Sequence, residues 1–447
     1  MTDSHTTPNG PANTGTYPGI SGAPTRVPLS SVNPAESEIL IVGGGLVGMA
    51  MAAALGGAGI PVTLVESEKL PDLTTETFDG RSSASAFSAF RQWKVLGVAD
   101  ALEPHAQRIE QILVTDGKAP GAASPGPLPA FLRFEAAEIG DSTAHEPLGY
   151  MVENRQTRAA LAQAVAAAGI PVLAPARVAS VEFGAGAATV RLEDGRHFSA
   201  PLVVGAEGRA SVVRQAAGIG EIGWSYKQSG VVATVKLEKP HHGVAHEYFL
   251  PGGPFAILPL TDNRASLVWT ETTAKAQALK DAGGDAFHAH LARRFGPFLG
   301  GVERVGPTFV YPLSLQLAQR MTAPRAALLG DSAHGIHPIA GQGLNLGLKD
   351  AAALAQVLVE ATRIGEDIGS SAVLERYAQW RRVDTVAILA SSDLFVRLFA
   401  NDNPLLRVAR GVGMSVVNRI GPARRFFMHE AGGATGDLPR LLRGEAL

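Results

Sequence analysis

The sequence predicts an α/β protein: a dinucleotide-type parallel-sheet domain, interrupted by a mainly antiparallel β domain and followed by helices. Three observations predict this. Over residues 38–66 the chain runs strand, glycine-rich turn, helix and strand. Between 230 and 270 it becomes a succession of short strand-like runs. From Leu344 onward helical patterns dominate, with a hinge at Gly421-Pro422.

The first segment reads EILIVGGGLVGMAMAAALGGAGIPVTLVE. The apolar run Ile39–Val42 meets Gly43, Gly45 and Gly48 at the spacing G-x-G-x-x-G, and a helix opens at Leu46 and Val47. Gly43 permits a tight turn, Gly45 lets the backbone approach a pyrophosphate, and Gly48 lets helix and strand pack closely. The helix start offers unpaired N–H groups and a partial positive charge to phosphates. The second apolar run, Val62–Val65, ends on Glu66. A carboxylate there can accept hydrogen bonds from both hydroxyls of an adenosine ribose and would repel a 2′-phosphate. The unit therefore reads as FAD- or NAD-binding rather than NADP-binding.

The bulk composition narrows the class. A chain of 447 residues has room for two to three domains and a large core. A net charge of −2 indicates no attraction to nucleic acid. The absence of cysteine excludes disulfides, thiolate metal sites and cysteine nucleophiles. No unbroken apolar run reaches the length of a membrane-spanning helix. Residues 1–36 are rich in Thr, Ser, Pro, Gly and Asn, so a disordered tail without signal-peptide character is expected, and the lack of cysteine fits a cytoplasmic protein.

The parallel-sheet domain is assigned to 37–110, 148–220 and 320–375, the inserted substrate domain to 111–147 and 221–319, and a helical region to 376–447. A helix is expected over 150–169, and a hairpin turn at Asp194-Gly195 between the strand 188–192 and one running 198–204. Residues 231–237, 247–250, 255–259 and 265–270 read as the strands of the inserted sheet.

A second constellation, LLGDSAHGIHPIAGQGLNLGLKD, spans 328–350. Asp331 at a strand end can accept a hydrogen bond from a ribityl hydroxyl. The glycine-rich helix start of Pro338, Gly341, Gln342 and Gly343, continuing into Leu344 and Asn345, can offer N–H groups to the pyrimidine end of a flavin. Leu344 and Asn345 act here through their backbone, so their side chains should matter little. NAD would need none of this, and the pair of motifs selects FAD.

With these residues in view the chain resembles the single-component flavoprotein hydroxylases of the para-hydroxybenzoate hydroxylase fold, whose Rossmann-like FAD domain carries an inserted β domain. The matching motifs are GGGLVG with Glu66, the strand-end motif Gly205-Ala206-Glu207-Gly208-Arg209, and GDSAH with HPIAGQGLNLGLKD. Within that group it is most similar to the ubiquinone-biosynthesis hydroxylases, the 2-polyprenylphenol monooxygenases. That likeness rests on Asp79-Gly80-Arg81-Ser82-Ser83, Val152-Glu153-Asn154-Arg155, Gly253-Pro254-Phe255, Ser266-Leu267-Val268-Trp269-Thr270 and Trp380-Arg381-Arg382. The resemblance implies NAD(P)H as co-substrate, reaction of the reduced flavin with O₂ through a C4a-hydroperoxide, and oxygen delivery to an electron-rich phenol. It also implies Arg81 near the pyrophosphate and Arg155 near the nucleotide. Glu207 stands where the family usually carries Asp, a position associated with FAD and nicotinamide contacts.

His337 is a candidate phenol-deprotonating base because imidazole titrates near neutrality. His334 and His337 lack a third ligand, so no metal is expected. Tyr226, Phe255 and Trp269 are candidate pocket residues. The stretch 404–428 carries five arginines and no acid, interleaved with apolar residues, a pattern suited to peripheral contact with the inner face of a membrane or with a ubiquinone-synthesis complex. A polyprenylated phenol and O₂ are the expected partners, with no nucleic acid. Two other readings stay open. One is a hydroxylase of a small soluble aromatic; were that an aromatic acid, Arg264 and Tyr248 could form a recognition pair. The other is a non-catalytic flavoprotein of a lipid-synthesis complex.

Overall fold

The computed structural model describes residues 37–69, 80–116, 132–138, 146–250, 252–282, 284–337, 341–399, 428, 432–433 and 435–447. The tail 1–36, Asp79, Pro338 and nearly all of the basic stretch 404–428 lie outside them.

A six-stranded sheet forms the first layer, and Ile39–Val42 lies inside it, parallel to both Val62–Val65 and Leu202–Gly205. These short runs are apolar throughout because both faces are covered, as in parallel sheets generally. Helix Leu46–Gly57 packs in this core with the long helix Gln342–Arg363, which buries Leu346, Leu348 and Leu354.

The turn between strand and helix needs its glycines for stated reasons. Gly43 has φ +109°, and a Cβ there would meet the Ala206 backbone at 2.5 Å. A Cβ on Gly48 would lie 1.9 Å from the Gly43 carbonyl oxygen, so only glycine lets the helix sit on that turn.

The second layer is an eight-stranded sheet containing Val302–Ala318, Glu221–Leu237, Arg264–Thr272, Gly253–Leu260 and Val244–Leu250. Most pairs are antiparallel, but Gln111–Asp116 joins parallel to Val244–Leu250 and carries Leu132–Glu135 beside it. The early segment thus pairs into the same sheet as the strands of 221–272. Helices Thr273–Asp281 and Gly284–Phe295 cover one face, giving a core of Val231, Val235, Phe255, Leu267, Trp269 and Phe287. The other face turns towards the parallel-sheet domain, where Ala245, Leu258 and Leu260 pack with Leu148 and Met151.

Two local expectations differ from the structure. The segment expected as one helix starts as strand Gly149–Glu153 and becomes helix only at Asn154–Ala167. Its first residues are recruited between Ser82–Ala86 and Gln107–Ile109, a tertiary pairing that local propensity does not report. The strand expected over 198–204 is two strands: His197–Ala200 closes the hairpin and Leu202–Gly205 enters the parallel sheet. Pro201 separates them, since it cannot donate to a ladder.

Gly48→Ala forces a methyl group into a backbone oxygen. The expected outcome is a loss of about 1–3 kcal/mol in chemical denaturation, together with reduced cofactor retention on purification. A variant that melts and retains cofactor like the parent would show that helix and turn are not held at this contact.

Candidate active site

The two glycine motifs, far apart in the chain, meet through Val47. A Cβ on Gly347 would lie 2.7 Å from Val47 Cγ2, and one on Gly330 3.4 Å from the same atom. The helix start of the first motif thus packs against both the loop and the helix of the second.

Each motif presents an uncapped helix start. Among the described residues, no side chain caps Leu46–Gly57 or Gln342–Arg363, and neither helix has an acid in its first turn. A Cβ on Gly45, at the first of these starts, would meet nothing within 4 Å. Open space over unneutralised N–H groups is what a pyrophosphate requires. Glu66 stands beside it: Gly44 N donates to Oε2 at 2.6 Å, while Glu68 N and Ser67 Oγ donate to Oε1 at 2.8 and 3.0 Å. These donors fix the carboxylate at the strand end, where a ribose would be held. Gly341 enters the second helix at φ +62°. Asp331 is exposed, with one long contact, 3.4 Å, from Arg209 Nε. The donor set therefore fits FAD: an anion cradle, a ribose acceptor, an exposed strand-end carboxylate and a second helix start. Pro338 lies outside the described residues.

Asn345 departs from the expectation that its side chain would be idle. Its Oδ1 accepts from Ala86 N at 2.9 Å and its Nδ2 donates to Ala84 O at 3.0 Å. It clamps the helix start to strand Ser82–Ala86. Leu344 is half-buried against the main core, and Gln342 and Gly343 are half-buried beside it.

Glu207 points inward. Val213 N and Ser211 Oγ donate to its Oε1 at 2.9 and 2.8 Å, and Ser332 Oγ to its Oε2 at 3.3 Å. It joins the helix Val212–Ala216 to the loop after Asp331. Burial raises its proton affinity, opposed by these donors. Arg155 donates through Nε to Glu153 at 2.6 Å, and Glu153 also receives Arg264 from the inserted sheet at 2.5 Å. Arg81 is exposed at the strand start, and its carbonyl accepts from Asn154 N at 2.9 Å.

A buried network absent from the sequence reading lies under the second motif. Asp350 accepts from Gly330 N at 3.1 Å, His334 Nε2 at 2.5 Å and Arg381 Nε at 2.9 Å. Burial alone would raise its proton affinity, but His334 and Arg381 outweigh this and hold it below the usual carboxylate range. His334 is thus a structural partner. Asp350 and Arg381 stood within the quoted GLKD and WRR motifs, but their pairing did not show in either.

The candidate pocket residues divide. His337 is buried with neither ring nitrogen bonded, edge-on to Tyr226 at 5.3 Å between centroids. Burial lowers its pKa to about 4, so it is neutral at pH 7 and a weak proton acceptor. Tyr226 donates to Asp393 Oδ1 at 2.9 Å. Phe255 and Trp269 lie on the helix-covered face of the sheet, packed edge to face with centroids 5.9 Å apart, and Arg294 stands over Trp269. They are core residues turned away from the parallel-sheet domain. Arg264 and Tyr248 are also split: Arg264 is held by Glu153, whereas Tyr248 belongs to the helix-covered core.

Among the described residues no group of three His, Cys, Asp or Glu side chains is placed to hold a metal, and no helix is long and apolar enough to cross a membrane.

A family model described as an FAD binding domain matches residues 36–391. The chain is 43% identical to a ubiquinone hydroxylase of Rhodospirillum rubrum, over 94% of this chain and 96% of the relative. It is 36% identical to the 3-demethoxyubiquinol 3-hydroxylase of Escherichia coli, over 87% of this chain and 96% of that protein. A mitochondrial ubiquinone biosynthesis monooxygenase of Xenopus tropicalis is 32% identical over 90% of this chain and 94% of its own length. Among solved structures, the p-nitrophenol 4-monooxygenase of Pseudomonas putida shares the fold, with a TM-score of 0.72 at 19% identity over 90% of this chain and 98% of that one.

His337 makes the folded state sensitive to acid. Unfolded, it binds a proton below about pH 6.5, whereas folded it resists protonation until about pH 4. Stability contributed by the neutral ring is therefore lost as pH falls through that window, by about 3 kcal/mol at most. His337→Gln should flatten the dependence of melting temperature on pH between 6.5 and 4, while pH–rate limbs above pH 6 stay in place. A variant as acid-sensitive as the parent would place the effect elsewhere, and a lost limb would restore His337 as a base.

Proposed function

From the membership of this chain in the FAD-dependent ubiquinone-biosynthesis hydroxylases, a family of monooxygenases to which it belongs, we propose that it hydroxylates the ring of a polyprenylated phenol, with NAD(P)H and O₂ as co-substrates. Bound FAD, reduced by NAD(P)H, supplies the chemistry that activates O₂ for transfer of one oxygen atom to the ring.

The protein's own residues would bind, orient and exclude water. The helix start at Gly45–Leu46 would hold the pyrophosphate, Glu66 the ribose, Asp331 the ribityl chain, and the helix start at Gly341–Gln342 the flavin end. Arg81 and Arg155 are proposed to assist at the nucleotide. Glu207 is proposed to shape the nicotinamide-handling loop through Ser211 and Ser332 rather than by an exposed charge. The observation that supports a neutral phenol over an aromatic acid is the engagement of Arg264. It is the cation that a small acid would need, and it is bonded to Glu153 at 2.5 Å.

A polyprenyl tail requires a route from lipid. The basic stretch 404–428 is the proposed membrane contact, and it lies outside the described residues except for Met428. Met428 is buried with Ile109, Leu148, Met151, Ala245 and Leu260, at the seam between the inserted sheet and the parallel-sheet domain. The end of the stretch is therefore anchored beside the sheet face that would receive the ring.

Holoenzyme should consume NAD(P)H faster with a 2-prenylphenol, with hydroxylated product matching the NAD(P)H oxidised. Aromatic acids of equal ring size should give no such coupling. Coupled turnover of an acid and none of the prenylphenol would overturn the substrate class.

The chain should also co-sediment with anionic vesicles. Each arginine near such a surface contributes about 1 kcal/mol, so five give roughly 5 kcal/mol at most. The attraction should fade towards 1 M salt, where screening shortens to about 3 Å. Equal sedimentation of a variant with these five arginines changed to Gln would assign the stretch to packing or to a protein partner.

A further inference from the structure

Glu247 is a half-buried titratable group that none of the roles above uses. It lies mid-strand in Val244–Leu250, opposite Ala256 on one neighbour and Val114 on the other. The register continues from Ala256 to Val268, from Val268 to Val232, and from Val232 to Phe309. Directly opposed residues share a face, so these side chains form one row across the sheet. Alternation along each strand places Tyr248, Phe255, Trp269 and Val231 on the helix-covered face. The row containing Glu247 therefore turns the other way, towards the parallel-sheet domain. Phe309 at its end confirms the direction: a Cβ on Gly80 would lie 2.6 Å from its ring.

This row is not sealed. Glu247, Val268, Val232 and Phe309 are each half-open although they occupy central strands, while Ala256 between them is buried and small. The next row along, with Ala245 and Leu258, is closed by Leu148, Met151 and Ala84 of the parallel-sheet domain. Accessible apolar surface thus remains on this face of the sheet, with one carboxyl beside it.

Among the described residues no cation or hydrogen-bond donor reaches that carboxyl. The other deep carboxylates are held: Asp350 by His334 and Arg381, Glu153 by Arg155 and Arg264, Glu271 by Arg294. Charged positions of the surrounding elements do not supply the missing partner. Arg264 and Arg155 are both on Glu153, Lys236 is exposed, Asp116 shares only the register position opposite Phe249, and His337 is neutral. Burial without a partner raises the Glu247 pKa to about 8.

We propose that Glu247 receives the hydroxyl of the phenolic ring on this face, orienting the ring by accepting its O–H and taking its proton as the ring is oxygenated. The inference rests on the phenol reading above. The O–H bond of the phenol breaks and a bond from that hydrogen to a Glu247 oxygen forms. The released electron pair enters the ring and strengthens the attacking carbon. One atom of O₂ forms the new bond to that carbon as the O–O bond breaks, and the other leaves as water, taking up the proton that the carbon then loses, while the phenol oxygen recovers its proton from Glu247. The oxidant is O₂ and the reductant NAD(P)H, as in the parent reaction. A carboxyl whose proton affinity lies near neutral pH is better matched to a phenol than an ordinary one. Once ionised, above about pH 8, the same group repels aromatic carboxylates and makes this row selective for uncharged rings.

The test uses FAD-loaded full-length enzyme with three probes: 2-geranylphenol, its methyl ether, and a geranylated 4-hydroxybenzoate. The wild type should bind the phenol at least about tenfold more tightly than the ether, read from the flavin spectrum, and its kcat/KM should rise with pH towards about pH 8. Glu247→Gln should lower kcat/KM for the phenol about a hundredfold, lose the rising limb and bind the acid more tightly than the wild type does. Glu247→Asp should recover part of the limb. Equal binding of ether and phenol by the wild type overturns the role, and needs no variant. So does a Gln variant with unchanged rate and pH profile. A wild type that couples NAD(P)H oxidation to the acid and not to the phenol overturns the substrate class instead.

Discussion

The carboxylate of Asp350 is the constraint on which the second glycine motif of the candidate site depends. It is fully buried and collects three donors: Gly330 N at the strand end, His334 in the following loop, and Arg381 on the helix Ser371–Phe399. Asp350 itself stands on the helix that opens at Gly341. One anion therefore fixes the loop carrying Asp331 relative to the helix start facing it. Arg381 also donates to Asp384 at 2.8 Å, and Tyr377 donates to Leu328 O at 2.8 Å, so the same helix braces the strand before the loop. Such a group adds little net stability over an apolar packing of the same volume. Its effect is on geometry, because removing either partner would leave the other charged or polar group buried alone.

A second anion ties the layers. Glu153 ends a strand of the parallel-sheet domain and receives both Arg155, its neighbour two residues on, and Arg264 of the inserted sheet. Phe309 against Gly80 and the Leu148–Met151–Ala245 cluster make apolar contacts across the same seam. Between these ties the row of Glu247, Val268 and Val232 stays half-open. The room for a ring follows from where the ties are placed, and the small side chain of Ala256 keeps it from being filled.

The nucleotide half of the candidate site was legible in the sequence because its signals are local. Gly43, Gly45, Gly48 and Glu66 act within one βαβ unit, and a glycine that no other residue can replace announces itself by spacing. Asp331 and Gly341 were legible for the same reason. What stayed hidden is set by distant pairing. Asn345 was expected to serve through its backbone, yet its side chain clamps a strand formed far earlier in the chain. Phe255 and Trp269 were expected in the pocket. A strand's alternation separates its two faces without saying which is covered, and that was decided by the helices Thr273–Asp281 and Gly284–Phe295, which periodicity did not reveal. Glu247 went unnoticed by the same rule, one residue from Tyr248 and on the opposite face.

The charge pattern of the inserted sheet bears on the class of ring it can take. Arg264 reaches the seam, and an aromatic acid bound there would compete with Glu153 for it. Releasing Glu153 would cost more than one contact, because that carboxylate is nearly buried and its remaining cation, Arg155, comes from its own domain. The tie between the layers would be broken to admit the substrate. An uncharged phenol makes no such demand. It needs one acceptor for its hydroxyl and an apolar surface for its ring, and the sheet face presents Glu247 beside Val232, Val268 and Phe309. The ion pairs that hold the layers together thus also shape which charges the space between them tolerates.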